Sequence, residues 1–179
     1  AIFYKEKNIL IIATKLAVAQ NFIRKVKTYI KSMPNWLLVP VITANNKQQV
    51  EFSNGSQIKA VPTSEDAGRS EALSLLIVDE AAFVRNFDEL WMGLYPTLST
   101  GGRAILLSTP NGVGGQYHEI YTKAERKENK FNPIKLLWDV HPERGDEWFE
   151  KETKNMSQKQ VAQELLCDFA SSGCLLYTS

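Results

Sequence analysis

The chain has 179 residues, 44% of them hydrophobic, with 21 Lys and Arg against 20 Asp and Glu and a formal net charge of +1. That length suits one well-buried α/β domain, or one domain and a small appendage. No apolar run reaches 18 residues and the start lacks a signal-peptide layout, which argues against a membrane span or secretion; Cys167 and Cys174 lack the spacing of a zinc site or a disulfide framework.

The charge is unevenly spread. Residues 15 to 50 hold Lys15, Arg24, Lys25, Lys27, Lys31 and Lys47 with no acid, a local +6 that leaves −5 for the remainder. In chain order, NILIIAT, 8 to 14, is a short isoleucine-rich run that reads as a buried strand. Leu16, Ala19, Phe22, Ile23, Val26 and Ile30 then recur at helical spacing, and Met33-Pro34-Asn35 stops that helix. QQVEFSNGSQIKAVP, 48 to 62, holds two alternating runs around Asn54-Gly55, a hairpin that reads as an insertion. A strand over 73 to 78, a helix over 88 to 98, a strand over 103 to 112, a helix over 114 to 129 and a last strand over 133 to 140 follow. Two helix-like stretches, GDEWFEKETKNMS and SQKQVAQELLCDF, form a small helical subdomain over 141 to 169. This alternation predicts a mostly parallel sheet with flanking helices, with no internal repeat or low-complexity segment.

The strand LSLLIV ends in Asp79 and Glu80. In an open parallel sheet, ligands sit beyond the carboxyl ends of the strands. A hydrophobic strand ending in Asp can supply a carboxylate for magnesium, and the next acid can orient an attacking water. The plainer alternative is that both acids cap the following helix. The second apolar strand ends in Ser108-Thr109-Pro110-Asn111-Gly112, whose hydroxyls could sense a γ-phosphate, or which could be an ordinary Ser/Thr-Pro turn. The basic helix face is either solvated or a contact for phosphate backbone. His118 and His141 lack partners at ligand spacing, and Trp36, Trp91, Trp138 and Trp148 read as packing residues.

Taken in order, NILIIATK, VEFSNGSQIKAVPTSEDAGRSEALSLLIVDEAAF, LLSTPNG, WDVHPERGDEWFEKE and QELLCDF resemble the ATPase domain of the large terminase subunit, the DNA-packaging motor of tailed bacteriophages. The resemblance covers nearly the whole chain. It implies a P-loop NTPase-type fold, an ATP and Mg²⁺ requirement, and a Walker B strand at Leu75 to Glu80, with Asp79 for the metal and Glu80 as catalytic carboxylate. Ser108, Thr109 and Pro110 resemble the family's coupling motif. Arg69 stands where some members present an arginine to a neighbouring subunit's ATP, although an exposed arginine after glycine is more often simply solvated. The implied partners are double-stranded DNA, the portal protein and the small terminase subunit, with a homo-oligomeric ring in the host cytoplasm that docks transiently on the procapsid.

The chain also departs from that pattern. It contains no G-x-x-x-x-G-K-[ST], and AIFYKEKN is expected to lie inside the helix that follows a Walker A loop. The family's nuclease domain, expected after CDFASSG, is absent, and GCLLYTS resembles translated sequencing-adapter read-through. The expectation is therefore an internal fragment: a partial ATPase core over 1–140, a helical lid or linker over 141–172, and a non-native tail over 173–179. The parent enzyme is expected to hydrolyse ATP and the fragment alone to be inactive. Two alternatives stay open, a superfamily 2 helicase-like ATPase and a non-catalytic nucleic-acid-binding or assembly module; the hairpin and HPERGDEW favour terminase over the helicase.

Overall fold

The computed structural model describes residues 1–37, 39–63 and 72–173. The chain divides into two compact units, Ala1–Leu107 and Ser108–Ser179.

The first unit is built on a sheet whose centre is the isoleucine-rich run. β1 (Asn8–Ala13) has Leu10, Ile11, Ile12 and Ala13 all buried. A strand covered on both faces needs apolar side chains in both registers, which is why it reads as a continuous run rather than an alternation. Four further strands are β2 (Ile42–Asn45), β3 (Gln49–Phe52), β4 (Gln57–Pro62) and β5 (Leu75–Val78). With β6 (Arg103–Leu106), the sheet order is β2-β3-β4-β1-β5-β6. The β4-β1, β1-β5 and β5-β6 pairings are parallel; β2-β3 and β3-β4 are antiparallel.

The Asn54-Gly55 hairpin forms as its sequence predicts, with Gly55 at φ +79°, a conformation cheap only for glycine. It is not an insertion. β4 runs beside β1 in register from Asn8↔Gln57 to Ala13↔Pro62, because QIKAVP sets the fully buried Ala60 beside Ile11. The hairpin thus widens the central sheet, and β2 extends it further as a strand that its half-exposed ITAN sequence does not announce.

α1 (Leu16–Ser32) lays Ala19 and Ile23, both without solvent exposure, on the sheet face formed by Ile11, Ala13, Val50, Phe52 and Ala60. Full burial of a side chain such as Ile23 contributes roughly 1.5–3 kcal/mol. The helix ends at Met33, whose N–H donates to the Ile30 carbonyl, just before Pro34. The helix expected over 88 to 98 splits into α2 (Phe87–Leu94) and a 3₁₀ turn, Tyr95–Leu98. Pro96 has no N–H to continue the α-helical ladder, which explains the break. Phe87, Leu90, Trp91 and Leu94, at i, i+3, i+4 and i+7, form the buried stripe of α2. At Gly102 a Cβ would lie 2.2 Å from the Leu73 carbonyl oxygen, so only glycine lets the chain pass there into β6.

The second unit is helical. α3 (Gly115–Glu125) is followed by an irregular stretch, then by α4 (Asp146–Thr153), α5 (Gln158–Gln160), a π-helical turn over Val161–Leu165 and α6 (Phe169–Gly173). Ser157 and Gln160 close a capping box at the start of α5. The last expected strand, 133 to 140, is not one: the segment is irregular and ends in a 3₁₀ turn, Trp138–Val140. Its apolar residues Ile134, Leu136 and Val140 are 68%, 67% and 61% exposed, and no strand pairs with it among the described residues. A strand pattern without a ladder partner leaves its backbone to other contacts. Here Trp138 packs instead on Trp148 and Phe149, with ring centroids 6.1 and 4.6 Å away.

Candidate functional site

In the first unit the parallel strands β1, β4 and β5 deliver their carboxyl ends to one edge of the sheet. The chain leaves β1 as Thr14-Lys15, β4 as Thr63 and β5 as Asp79-Glu80. The ladder runs one residue beyond the strands: Thr63 N–H donates to the Ala13 carbonyl at 3.0 Å, and Asp79 N–H to the Ile12 carbonyl at 2.9 Å. Asp79 is thereby held against β1 by its own backbone.

Glu80 then turns the chain. Its φ of 52° and ψ of 45° lie in the left-handed region, which costs a residue with a Cβ roughly 1–2 kcal/mol. The surroundings enforce the turn, because Ala81, 1% exposed, donates its N–H to the Leu107 carbonyl at 2.9 Å while Leu107 N–H donates to Val78. The residue on one side of Glu80 is thus tied to β1 and the residue on the other to the end of β6. Strain of this kind persists only where neighbours over-determine it, and it clusters at sites that do chemistry.

The electrostatics distinguish the two acids. Partial burial raises the Asp79 pKa above the ordinary carboxylate value, opposed by a hydrogen bond from the Glu80 N–H and by the positive charge of Lys25. Glu80 occupies the N-cap position of a three-residue 3₁₀ turn, Ala81–Phe83, and its side chain makes no capping hydrogen bond. At this turn the capping alternative therefore lacks a side-chain hydrogen bond from Glu80. α2 begins seven residues after Glu80, behind Asn86.

The remaining expected site residues fall elsewhere. Arg69 lies outside the described residues. Ser108 and Thr109 open the second unit. Within that unit the Ser108 carbonyl accepts a long 3.4 Å hydrogen bond from the Tyr117 hydroxyl, Pro110 is buried, and the Gly112 N–H donates to Ser172 Oγ at 3.0 Å. Three residues were not singled out from the sequence: Thr63 and Lys15 as part of this edge of the sheet, and Lys25 as a charge felt by Asp79. The end of the NILIIAT run points to Thr14 and Lys15; nothing in the sequence points to Thr63 or to the pairing of Lys25 with Asp79.

Among the described residues no three His, Cys, Asp or Glu side chains gather into a cage for a metal ion, and no helix is long and apolar enough to cross a membrane. Magnesium is commonly held by only one or two carboxylates together with substrate phosphates. A half-buried Asp beside a second acid fits that donor set.

Comparison with known proteins agrees with this architecture. The fold is shared with the large terminase ATPase domain of Thermus phage P74-26, at 21% identity and TM-score 0.71 over 93% of this chain and 78% of that one. It is shared with the large terminase of the thermophilic bacteriophage D6E in complex with ADP, at 11% identity and TM-score 0.72 over 94% of this chain and 42% of that one. The HK97 bacteriophage large terminase matches at 16% identity and TM-score 0.56 over 72% of this chain and 27% of that one. The chain thus spans less than half of the D6E and HK97 proteins. Residues 1–178 match the family model of the terminase large subunit, T4likevirus-type, N-terminal, and the chain belongs to that family.

Proposed function

We propose that this chain is part of the ATPase core of a viral DNA-packaging motor, in which ATP hydrolysis drives double-stranded DNA into a procapsid. The observation that carries the reading is the left-handed Glu80 beside Asp79 at the carboxyl edge of parallel strands, pinned between β1 and β6. The D6E protein's complexes with ADP and with ATP-γ-S support a nucleotide as the ligand of that edge.

In this reading Asp79 is the metal-facing carboxylate. A bound Mg²⁺ would supply charge neutralisation for the β- and γ-phosphates. Glu80 is the catalytic carboxylate: held at the strand end by its neighbours' backbone hydrogen bonds, it accepts a proton from, or orients, the attacking water. Burial favours the protonated form of Asp79, and Lys25 together with the Glu80 N–H favours the ionised form needed to receive a cation. Arg69 would carry positive charge to the transition state in a neighbouring subunit of a homo-oligomeric ring. Ser108 and Thr109, which follow Leu107 beyond the end of β6, would respond to the γ-phosphate and couple its loss to the rest of the motor. The portal protein and the small terminase subunit are the partners of the assembled motor, which works in the host cytoplasm at the procapsid.

The deciding experiment uses the full-length parent with Glu80→Gln, which keeps size and removes the carboxylate. Turnover should fall by roughly 10² to 10⁴, the usual contribution of general-base action, while ATP still binds. Turnover within about threefold of the parent would reject the assignment of Glu80.

A further inference from the structure

The basic residues of the first unit do not simply coat α1. Gln20, Arg24, Lys27 and Lys31 recur at spacings of four, three and four, which places them on a single narrow stripe of that helix. Lys27 bridges from this stripe to the β2–β3 connection, its Nζ donating to the Asn46 carbonyl at 2.6 Å. Beside that contact lies an open groove of about 430 Å³, lined by Gln20, Asn46, Lys47, Gln48, Gln49, Lys59 and Val61. Segments remote in sequence thus bring Lys47 and Lys59 to one concavity, with Lys27 tied to the lining residue Asn46.

No carboxylate lines the groove. The nearest acid along β3, Glu51, accepts a hydrogen bond from the Gln49 amide. Neither Lys47 nor Lys59 forms an ion pair among the described residues. Six of the seven lining residues carry side-chain N–H groups, that of Gln49 already given to Glu51 and Gln57, the seventh is Val61, and none is aromatic. That composition suits phosphate oxygens and gives nothing on which unpaired bases could stack, as single-strand binders require. From Gln20 to Lys31 the stripe spans about 16 Å at 1.5 Å per residue, a length over which one strand of a duplex presents more than one phosphate.

The geometry points to the groove and the α1 stripe as a sequence-independent seat for the phosphate backbone of duplex DNA, with Lys47 and Lys59 gripping one strand and Arg24 and Lys31 following it along the helix. This rests on the reading of the chain as part of a DNA-packaging motor and adds the surface that holds the substrate. Neither Asp79 nor Glu80 lines the groove, so the two surfaces can be tested by different substitutions.

The test is binding of the 179-residue chain to a fluorescent 30-base-pair duplex, followed by anisotropy from roughly 50 to 200 mM salt. Lys47→Gln with Lys59→Gln should weaken binding by roughly 10- to 100-fold near 100 mM salt and reduce the logarithmic salt slope by about 1.8, each neutralised phosphate being worth about 0.9. Arg24→Gln with Lys31→Gln, on the exposed side of α1, should act in the same direction and guards against a fold defect in the first pair. Lys130→Gln with Lys154→Gln, in the second unit, should leave the slope unchanged. An unaltered slope in both groove and stripe variants would overturn the proposal, as would absence of duplex binding by the unmodified chain at 50 mM salt. Equally tight binding of polyglutamate would also overturn it, in favour of an acidic protein partner. Loss of turnover in the parent's Glu80→Gln variant alongside an unchanged salt slope would reject this surface and leave the motor reading standing.

Discussion

Gly112 N–H donates to Ser172 Oγ across 60 positions of sequence, at 3.0 Å and out of contact with water. The same hydroxyl donates to the Phe169 carbonyl at 3.0 Å, so Ser172 ties the STPNG loop to α6 with both of its hydrogen-bonding capacities in use. If Thr109 senses nucleotide, this tie offers a path by which movement of the loop reaches the helical segment. In the full-length parent, Thr109→Val should leave ATP affinity nearly unchanged and reduce DNA translocation more than hydrolysis. Ser172→Ala should leave a buried N–H unsatisfied, costing about 1–3 kcal/mol, and likewise uncouple the two rates. Both rates measured on one preparation decide the matter; equal losses would assign Thr109 to chemistry alone.

The 179-residue chain itself should show no measurable ATP turnover. Its sequence offers no glycine-rich loop with a lysine to cradle the β- and γ-phosphates, and a metal-facing Asp with a catalytic Glu cannot replace those contacts. Magnesium-dependent phosphate release by the purified chain that disappears with Glu80→Gln would contradict this.

Glu80 supplies a prediction of opposite sign for stability and activity. Glycine adopts φ near +52° without the steric cost borne by a residue with a Cβ, set against a larger entropy in the unfolded chain. Glu80→Gly should therefore leave the melting temperature unchanged or raise it by up to a few degrees, while abolishing turnover in the parent. A clear drop in melting temperature would mean that the Glu80 side chain holds the fold together.

Asp79 should reveal itself in the pH dependence of stability. Its folded pKa lies above its unfolded value because burial penalises the charge. The folded state then binds the proton more tightly, so stability is highest below the ordinary Asp titration and declines as pH rises from there through the folded pKa. Asp79→Asn removes that penalty. The variant should melt higher than the unmodified chain at neutral pH, with the gap closing as pH falls below about 4. A gap independent of pH would show that Asp79 influences stability by something other than its charge.

The elements legible in the sequence are those whose burial imposes a local pattern. β1 and β5 are read correctly because central parallel strands need apolar side chains on both faces, and α1 because one stripe must pack while the rest stays wet. The segment 133 to 140 is misread because strand character depends on a partner, and PIKLLWDV finds none among the described residues. β2 is missed because four half-exposed residues carry no periodicity. The same division runs through the site. Asp79 and Glu80 stand out because charge abruptly ends an apolar run. Thr63 and Lys25 join them only through the parallel register of β4 with β1 and the packing of α1, which are non-local facts. The left-handed turn at Glu80 is equally hidden, since glutamate is not a residue from which that conformation would be inferred.

Among the described residues β6 stands at the end of the sheet. Its Ile105, and Leu107 just beyond it, are 44% and 47% exposed, and among the described residues the strand has only β5 as a neighbour. An open edge with apolar side chains is a template for pairing with another copy, and Arg103 is the one charge along the strand to discourage it. Concentrated solutions should therefore self-associate along β6, and a lysine introduced at position 105 is the gatekeeper that would keep the chains apart.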